Sequence, residues 1–152
     1  MSASSLKRCQ PSRPAAGLAA RPLSRVYVGL SDLRIARGSS QLFEPLVDGT
    51  VDGVRADVEH VPFGVAGLTR LDAGRPLSCR LLIAELARLG ADFTFLRRSF
   101  LADTATRDLS REVPILLDAV QTATHRNADE VRTEREELVA VLRAPERAVQ
   151  LT

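Results

Sequence analysis

Residues 46–72 combine spaced apolar residues with four glycines. The apolar members are Val51, Val54, Val61, Val65 and Leu68, and the glycines are Gly49, Gly53, Gly64 and Gly67. β-Branched residues interrupted by glycine favour short strands whose backbones approach each other closely. The pattern predicts two strands joined by a turn, and we expect this hairpin to form the centre of the domain.

Two flanking segments carry clearer periodicities. Residues 26–36 alternate apolar and polar positions with a break at Ser31 and Asp32, which predicts a strand or a kinked pair of strands. Residues 77–89 repeat leucine at helical spacing. Ser78 is placed to cap this predicted helix, and Gly90 is placed to end it.

The third segment with a strand pattern covers residues 91–102, with Phe93, Phe95 and Phe100 as predicted core residues. Residues 106–124 then predict a helix with an apolar stripe. Its cap is either Asp108 or Ser110, and Pro114 is accommodated better if Ser110 is the cap, because proline is tolerated near a helix start.

The C-terminal part is rich in charge. Residues 125–136 form either an extension of the preceding helix or a surface loop. Residues 138–142 and 148–151 are apolar and flank a turn-like segment, which predicts a terminal hairpin. Together these elements indicate an α/β (α+β) domain with two main helices and several strands.

Composition limits the classes of function. The 152 residues are 45% hydrophobic and 26% charged, which is ordinary for a soluble globular protein, and no apolar run approaches a membrane span. The net charge of +2 provides no strong attraction to nucleic acid. We therefore expect a cytoplasmic protein that does not insert into membranes, and we do not expect nucleic-acid binding to be its function.

The N-terminal segment differs from the rest of the chain. Residues 1–24 are rich in Ser, Pro, Ala and Arg and contain no acidic residue. Such a segment buries too little apolar surface to offset its ordering entropy, which predicts a disordered basic tail. An organellar transit peptide is the alternative interpretation. Residues 25–152 are expected to form a single domain.

Cysteine and histidine offer few catalytic combinations. Cys9 and Cys79 form neither a metal motif nor a disulfide framework, so no metal site is expected. Cys79 falls in the first turn of the predicted helix, where it is either an activated thiolate or a small packing residue. His60 could serve as its base, oriented by Asp57 or Glu59. A cysteine-dependent amidohydrolase with this machinery is the enzymatic alternative.

Several stretches, taken in order, resemble the chemoreceptor glutamine deamidase family, CheD. The stretch VGLSDLRIAR (28–37) resembles the opening strand of that family. The stretches GTVDGV (49–54) and VAGLTRL (65–71) are similar to the two halves of its catalytic hairpin. LLIAELARLGA (81–91) resembles its helix, and ADEVRT (128–133) is a fainter match. The resemblance implies a CheD-like layered sandwich with a mixed β-sheet.

The residues that carry catalysis in that family are missing here. By position, its nucleophilic Cys corresponds to Val51, its His base to Arg70 and its Thr to a position near Pro45. Val51 cannot attack an amide, and Arg70 stays protonated and cannot act as a base. The resemblance thus implies an inactive binding or adaptor protein without a cofactor, in which Thr50 and Arg70 contact the partner. The implied partner is a chemoreceptor or a CheC-like phosphatase.

Overall fold

Three parallel strands form the sheet, and they lie side by side in their order along the chain. A computed structural model describes residue 17 and residues 20–145. Strand β1 is Val26–Val28, β2 is Phe63–Leu68 and β3 is Phe93–Leu96, and β2 is the central strand. Tyr27 is the register partner of Gly64, which in turn pairs with Phe93. Parallel neighbours need long crossover connections, and helices supply them here.

The described residues contain six α-helices and one short 3-10 helix. The α-helices are α1 (Leu30–Arg37), α2 (Thr50–Asp57), α3 (Cys79–Arg88), α4 (Arg98–Asp103), α5 (Leu109–Thr124) and α6 (Ala128–Arg143), and the 3-10 helix is Glu44–Leu46. Helix α3 packs against β2, α5 and α6. The predicted α/β (α+β) class is confirmed. The expectation of only two main helices was too low.

Helix α3 confirms the prediction for residues 77–89. The Ser78 hydroxyl accepts a hydrogen bond from the Leu81 amide at 3.3 Å, as expected of an N-cap. Gly90 follows the helix with a φ angle of 63°, a conformation that costs residues with a Cβ more than glycine. Helix α5 is also confirmed, with Asp108 as its cap rather than Ser110, so that Pro114 lies inside the helix.

The central hairpin prediction was wrong. Its first half is helix α2 and its second half is the single strand β2. The side chains explain the difference, because Val51, Val54 and Val58 recur at spacings of three and four residues, which is the helical period. Val51 and Val58 are completely buried on the inner side of α2. Tertiary burial of this stripe outweighs the preference of valine for strands.

Two other predicted strands are shorter than expected. Residues 26–36 form β1 and then helix α1, because the spacing of Leu30 and Leu33 fits a helical face and Asp32 lies in the favourable first turn. Residues 91–102 form β3 and then helix α4, which buries Phe100 in the core. In both cases the strand ends where the chain leaves the sheet edge.

The predicted terminal hairpin was also wrong for its first half. Residues 138–142 belong to α6, which is preceded by the N-cap residue Asn127 in a reciprocal capping box. The Asn127 side chain accepts from the Glu130 amide at 2.9 Å, and the Glu130 carboxylate accepts from the Asn127 amide at 2.8 Å. This cap starts a helix in the charged segment. The second half, residues 148–151, lies outside the described residues, as does most of the predicted tail.

The sheet differs from the mixed β-sheet that the resemblance implied, because both of its strand pairs are parallel. Its two faces are unequal. Phe63 and Val65 of β2 are completely buried in the core on the helix-covered side. On the other face, Tyr27 and Phe95 are 40% and 52% exposed, and their rings are 4.8 Å apart. Parallel sheets usually have both faces covered, so this exposed face is unusual.

Replacing Gly64 with alanine is expected to lower the free energy of unfolding by about 1–3 kcal/mol. A Cβ at this position would lie 2.7 Å from the carbonyl oxygen of Phe93, which is held in the sheet. Gly53 in α2 is the matched control, because a Cβ added there would meet no atom within 4 Å beyond its own helix backbone and chain neighbours. Gly53→Ala should stabilise by about 0.5–1 kcal/mol. Urea denaturation that shows the same change for both variants would contradict this account.

Candidate functional site

Polar side chains collect where the three parallel strands end. Asp32 follows β1, Thr69 and Arg70 follow β2, and Arg97 follows β3. Because parallel strands end at the same edge of a sheet, these segments are neighbours in space although they are far apart in sequence. In open α/β sheets, ligands bind in crevices outside the carboxyl ends of the strands.

A cleft of about 210 Å³ opens at this edge. It runs between the start of α1, the 3-10 region and the ends of β2 and β3, and we call it the carboxyl-edge cleft. Its walls are partly apolar and partly charged. The lining residues are Tyr27, Gly29, Leu30, Ser31, Asp32, Leu42, Phe43, Ala66, Gly67, Phe95, Leu96 and Arg97.

Strand β2 is distorted beside the cleft. Its pairing with β3 shifts register between Gly64 and Gly67, and Ala66 has a φ angle of 58°, which is rare for a residue with a Cβ. The Ala66 carbonyl accepts hydrogen bonds from the Tyr27 hydroxyl at 2.6 Å and from the Thr94 hydroxyl at 3.1 Å. These bonds hold the bulge, and bulges of this kind frequently lie beside functional sites.

The bulge and its glycine position Arg97. A Cβ at Gly67 would lie 2.8 Å from Arg97 Cγ, so the arginine stem crosses directly over the glycine backbone. The Arg97 amide also donates to the Leu68 carbonyl at 2.7 Å. Asp32 is positioned by α1, and its carboxylate turns back over the helix start, since a Cβ at Gly29 would lie 2.6 Å from Asp32 Oδ2.

Asp32 and Arg97 carry opposite charges on the walls of the same cleft. Neither side chain forms an ion pair or a hydrogen bond with any other residue that the structure describes. The Asp32 charge does act on Tyr27, whose pKa is raised first by burial and then by this carboxylate. Two opposite charges thus remain available on the walls of one cleft.

Arg70 is already engaged within the chain. Its Nε pairs with the Asp72 carboxylate, and one of its terminal nitrogens donates to the Asp103 carbonyl at 3.2 Å. The hydrogen bond from Arg70 lowers the pKa of Asp72. Next to it, the Thr69 hydroxyl donates to the Asp103 carboxylate at 3.1 Å. These bonds order the segment after β2, and a partner carboxylate would have to compete with Asp72.

The other positions that the deamidase resemblance implied as site residues do not contribute to the cleft, because they are buried or are engaged in contacts of their own. Val51 and Pro45 are buried in the core, so neither faces solvent. The Thr50 hydroxyl, at the start of α2, accepts a hydrogen bond from Arg37 at 2.6 Å. Arg37 also pairs with Asp48 at 2.7 Å. The structure therefore uses Thr50 to attach α2 to α1.

Cys79 and His60 are not brought together. The Cys79 thiol donates to the Thr69 carbonyl at 3.2 Å, just beyond the carboxyl end of β2, whereas His60 precedes the amino end of that strand. The six residues of β2 span about 20 Å, far more than a hydrogen bond can bridge. Burial raises the pKa of the Cys79 thiol, which favours the unreactive protonated form. The relocated thiol machinery is not assembled here.

We expect Cys79 to react slowly with iodoacetamide while the protein is folded. In a Cys9→Ser variant it is the remaining cysteine, and its side chain is 1% exposed. At pH 8 its alkylation should be at least about a hundredfold slower than in the same variant unfolded by urea, because reaction requires opening of the structure. Mass spectrometry measures both rates, and similar rates in the two states would contradict the buried position.

The burial of Cys79 also predicts how the stability of the protein changes with pH. A raised pKa means that the folded state holds the thiol proton more tightly than the unfolded chain. The contribution of Cys79 to stability is therefore complete below its ordinary value of 9.0 and is lost as the pH rises above it. A Cys79→Ala variant should lack this component of the alkaline decline in stability.

Asp32 and Arg97 were not singled out from the sequence as site residues. The signal that could have identified them is their position, since both lie within a few residues after a strand, at the edge where parallel sheets bind ligands. That signal became usable only with the correct strand ends and the parallel order, neither of which the alternation of residues indicated.

Comparisons with family models, with curated proteins and with solved structures found no match for this chain. No group of three or more His, Cys, Asp or Glu side chains suited to a metal ion occurs among the described residues. In the same part of the chain, every helix is too short or too polar to cross a membrane. What the carboxyl-edge cleft can bind is therefore inferred from its geometry and its side chains.

Proposed function

We propose that this chain binds a small polar ligand in the carboxyl-edge cleft and that it acts by binding rather than by thiol catalysis. The observation that supports the proposal most strongly is the pair of charges from Asp32 and Arg97, which face one cleft and have no ionic partner among the described residues. Because neither charge is neutralised by a contact with another described residue, both are available for ionic contacts with a ligand.

The dimensions support a small ligand. Pockets for drug-sized molecules usually measure about 300–1,000 Å³, and this cleft measures about 210 Å³. Tyr27 and Phe95 supply an apolar wall, and the charges supply the polar contacts that orient a ligand. This combination of an apolar body with few polar groups is typical of metabolite sites.

Amide chemical shifts test the proposal directly. A panel of small carboxylates, amines, amino acids and sugars is added to the full chain labelled with nitrogen-15. We expect at least one compound to shift the amides of Gly29, Ser31, Gly67 and Arg97 while those of α6, none of whose residues lines the cleft, stay unchanged. A panel that shifts no cleft amide, or that shifts only α6, would overturn the proposal.

We propose protein binding as a second function, because the outer face of the sheet presents Tyr27 and Phe95 to solvent. Exposed apolar groups of this kind are typical of interaction surfaces. The resemblance to CheD suggests the partner, either a chemoreceptor helix or a CheC-like phosphatase in the cytoplasm. This choice of partner rests on the matched residues alone, since the stretch expected to form the family's hairpin is a helix followed by a strand.

A binding assay on purified partners tests the second function. Phe95→Ser should abolish binding to the immobilised chemoreceptor helix or phosphatase, while Leu109→Ser, which also removes an exposed apolar side chain, should retain it. Ammonia release from receptor peptides should stay at background, because Val51 cannot act as a nucleophile. If neither partner binds the unchanged chain, or if both variants bind equally, the chemotaxis function is wrong.

A further inference from the structure

The chemistry of the carboxyl-edge cleft narrows its ligand to one class. Building on the proposed binding function, we infer that the cleft binds a small zwitterion, an amino acid whose carboxylate contacts Arg97 and whose ammonium group contacts Asp32. The inference uses the signs of the two charges, the absence of an ionic or hydrogen-bonded partner for either one among the described residues, and the apolar residues that line the same cleft.

The two opposite charges favour a ligand that carries both charges over a ligand with a single charge. A guanidinium presents paired N–H donors that match a carboxylate, and a carboxylate accepts hydrogen bonds from an ammonium group. A simple anion on Arg97 would leave the Asp32 carboxylate beside it without a counter-charge. A simple cation on Asp32 would leave Arg97 in the same condition. A zwitterion satisfies both residues, and the occupied cleft then has no net charge.

The remaining cleft walls accommodate the part of the ligand between its two charged groups. Leu42, Phe43 and Ala66 line the cleft together with the aromatic rings. These apolar surfaces suit a short methylene chain or a small aliphatic side chain, which would gain about 0.8 kcal/mol for each methylene group buried. The next residue along the chain, Arg98, is exposed and does not line the cleft. It therefore does not supply a second positive charge that would neutralise Asp32 there.

A series of ω-amino acids provides the sharpest test. Glycine, β-alanine, γ-aminobutyrate and 5-aminovalerate keep both charges and vary only the distance between them. Binding to the full chain is measured by titrating the cleft amide shifts. We expect one length to bind best, and we expect the matching carboxylate without the amine, and the matching amine without the carboxylate, each to bind at least about tenfold more weakly.

Two neutral variants and two matched controls identify the contacts. Asp32→Asn and Arg97→Gln should each weaken binding of the best amino acid by at least about tenfold. Arg98→Gln changes the adjacent exposed arginine and Asp118→Asn changes an exposed aspartate on α5, and both should bind as the unchanged chain does. Thermal melting of each variant establishes that it is folded before it is titrated.

The outcomes separate this inference from the proposed function. If a carboxylate or an amine alone binds as tightly as the matching amino acid, the zwitterion inference is wrong and small-ligand binding stands. The zwitterion inference is also wrong, and small-ligand binding also stands, if the amino acid shifts the cleft amides of folded Asp32→Asn and Arg97→Gln with unchanged affinity. If no compound shifts the cleft amides, both ideas fail. Selective binding of one amino acid that is lost in both variants and kept in both controls supports both.

Discussion

Replacing Phe63 with alanine is expected to lower the free energy of unfolding by about 3–5 kcal/mol. Phe63 begins the central strand, is completely buried and lies under the Arg55 guanidinium, 5.4 Å from its ring centroid. Its removal leaves a cavity between the sheet and the helices that the two neighbouring strands cannot close without losing their pairing. Urea denaturation of the full chain measures the loss.

Phe95→Ala is the matched control for this experiment. It removes the same side chain from the neighbouring strand, but on the exposed face, where the ring is 52% accessible. The loss should stay below about 1.5 kcal/mol, mainly from its ring contacts with Tyr27 and Phe93. If the two variants were destabilised equally, the assignment of an inner and an outer sheet face would be wrong.

Removing the buried carboxylate of Glu85 is expected to have the second large effect, about 3 kcal/mol of lost stability for Glu85→Ala. Its side chain, on α3, is 1% exposed and accepts hydrogen bonds at 2.6 Å from both Arg88 and Arg135. Without it, two cations lose their shared partner. The arginines are about a quarter exposed and can turn toward water, so we place the cost at the lower end of the usual range.

Glu137→Ala is the control for Glu85, since Glu137 lies on α6 but is exposed. That change should alter stability by less than about 0.5 kcal/mol. A double-mutant cycle between Glu85→Ala and Arg135→Ala should give a coupling energy of at least about 1 kcal/mol, because the two side chains touch. Additive losses would show that the pair does not attach α6 to α3.

The Glu85 network explains how a polar helix joins the domain. Helix α6 buries Leu138, and its Arg135 bonds both Glu85 and the Leu46 carbonyl, the latter at 2.9 Å. Arg88 extends the network to Asp52 of α2 at 2.9 Å, and its pKa is raised by Glu85 and then by Asp52. One buried carboxylate thus connects three helices and supports the 3-10 region that borders the cleft.

The sequence is sufficient where local interactions decide the structure. Helix α3 was predicted closely because its leucine period, the Ser78 cap and the Gly90 stop all lie within one short segment. The α/β class follows for the same reason, since one strong helix and several short apolar runs are local features. Helix α5 was likewise recognised, with only the choice of cap left open.

Sequence reasoning failed where a short apolar run fits two periods. Val51, Val54 and Val58 satisfy a helix, while valine and glycine together suggested a strand. The contacts that decide between the two come from elsewhere in the chain, in the core that buries Val51 and Val58. Because the helical period was missed here, the sequence predicted a hairpin where the structure has a parallel sheet. The edge at which the three parallel strands end was therefore not predicted either.

By itself the sequence determined the fold class, helices α3 and α5, and the absence of a nucleophile at Val51. The tertiary structure alone decided the strand order, the parallel pairing and the carboxyl-edge cleft. Asp32 and Arg97 share that cleft although many residues and two crossover connections separate them. Pairing between distant strands depends on core burial, and no local pattern of residues encodes it, because the strands meet only when the helices between them pack onto one face of the sheet.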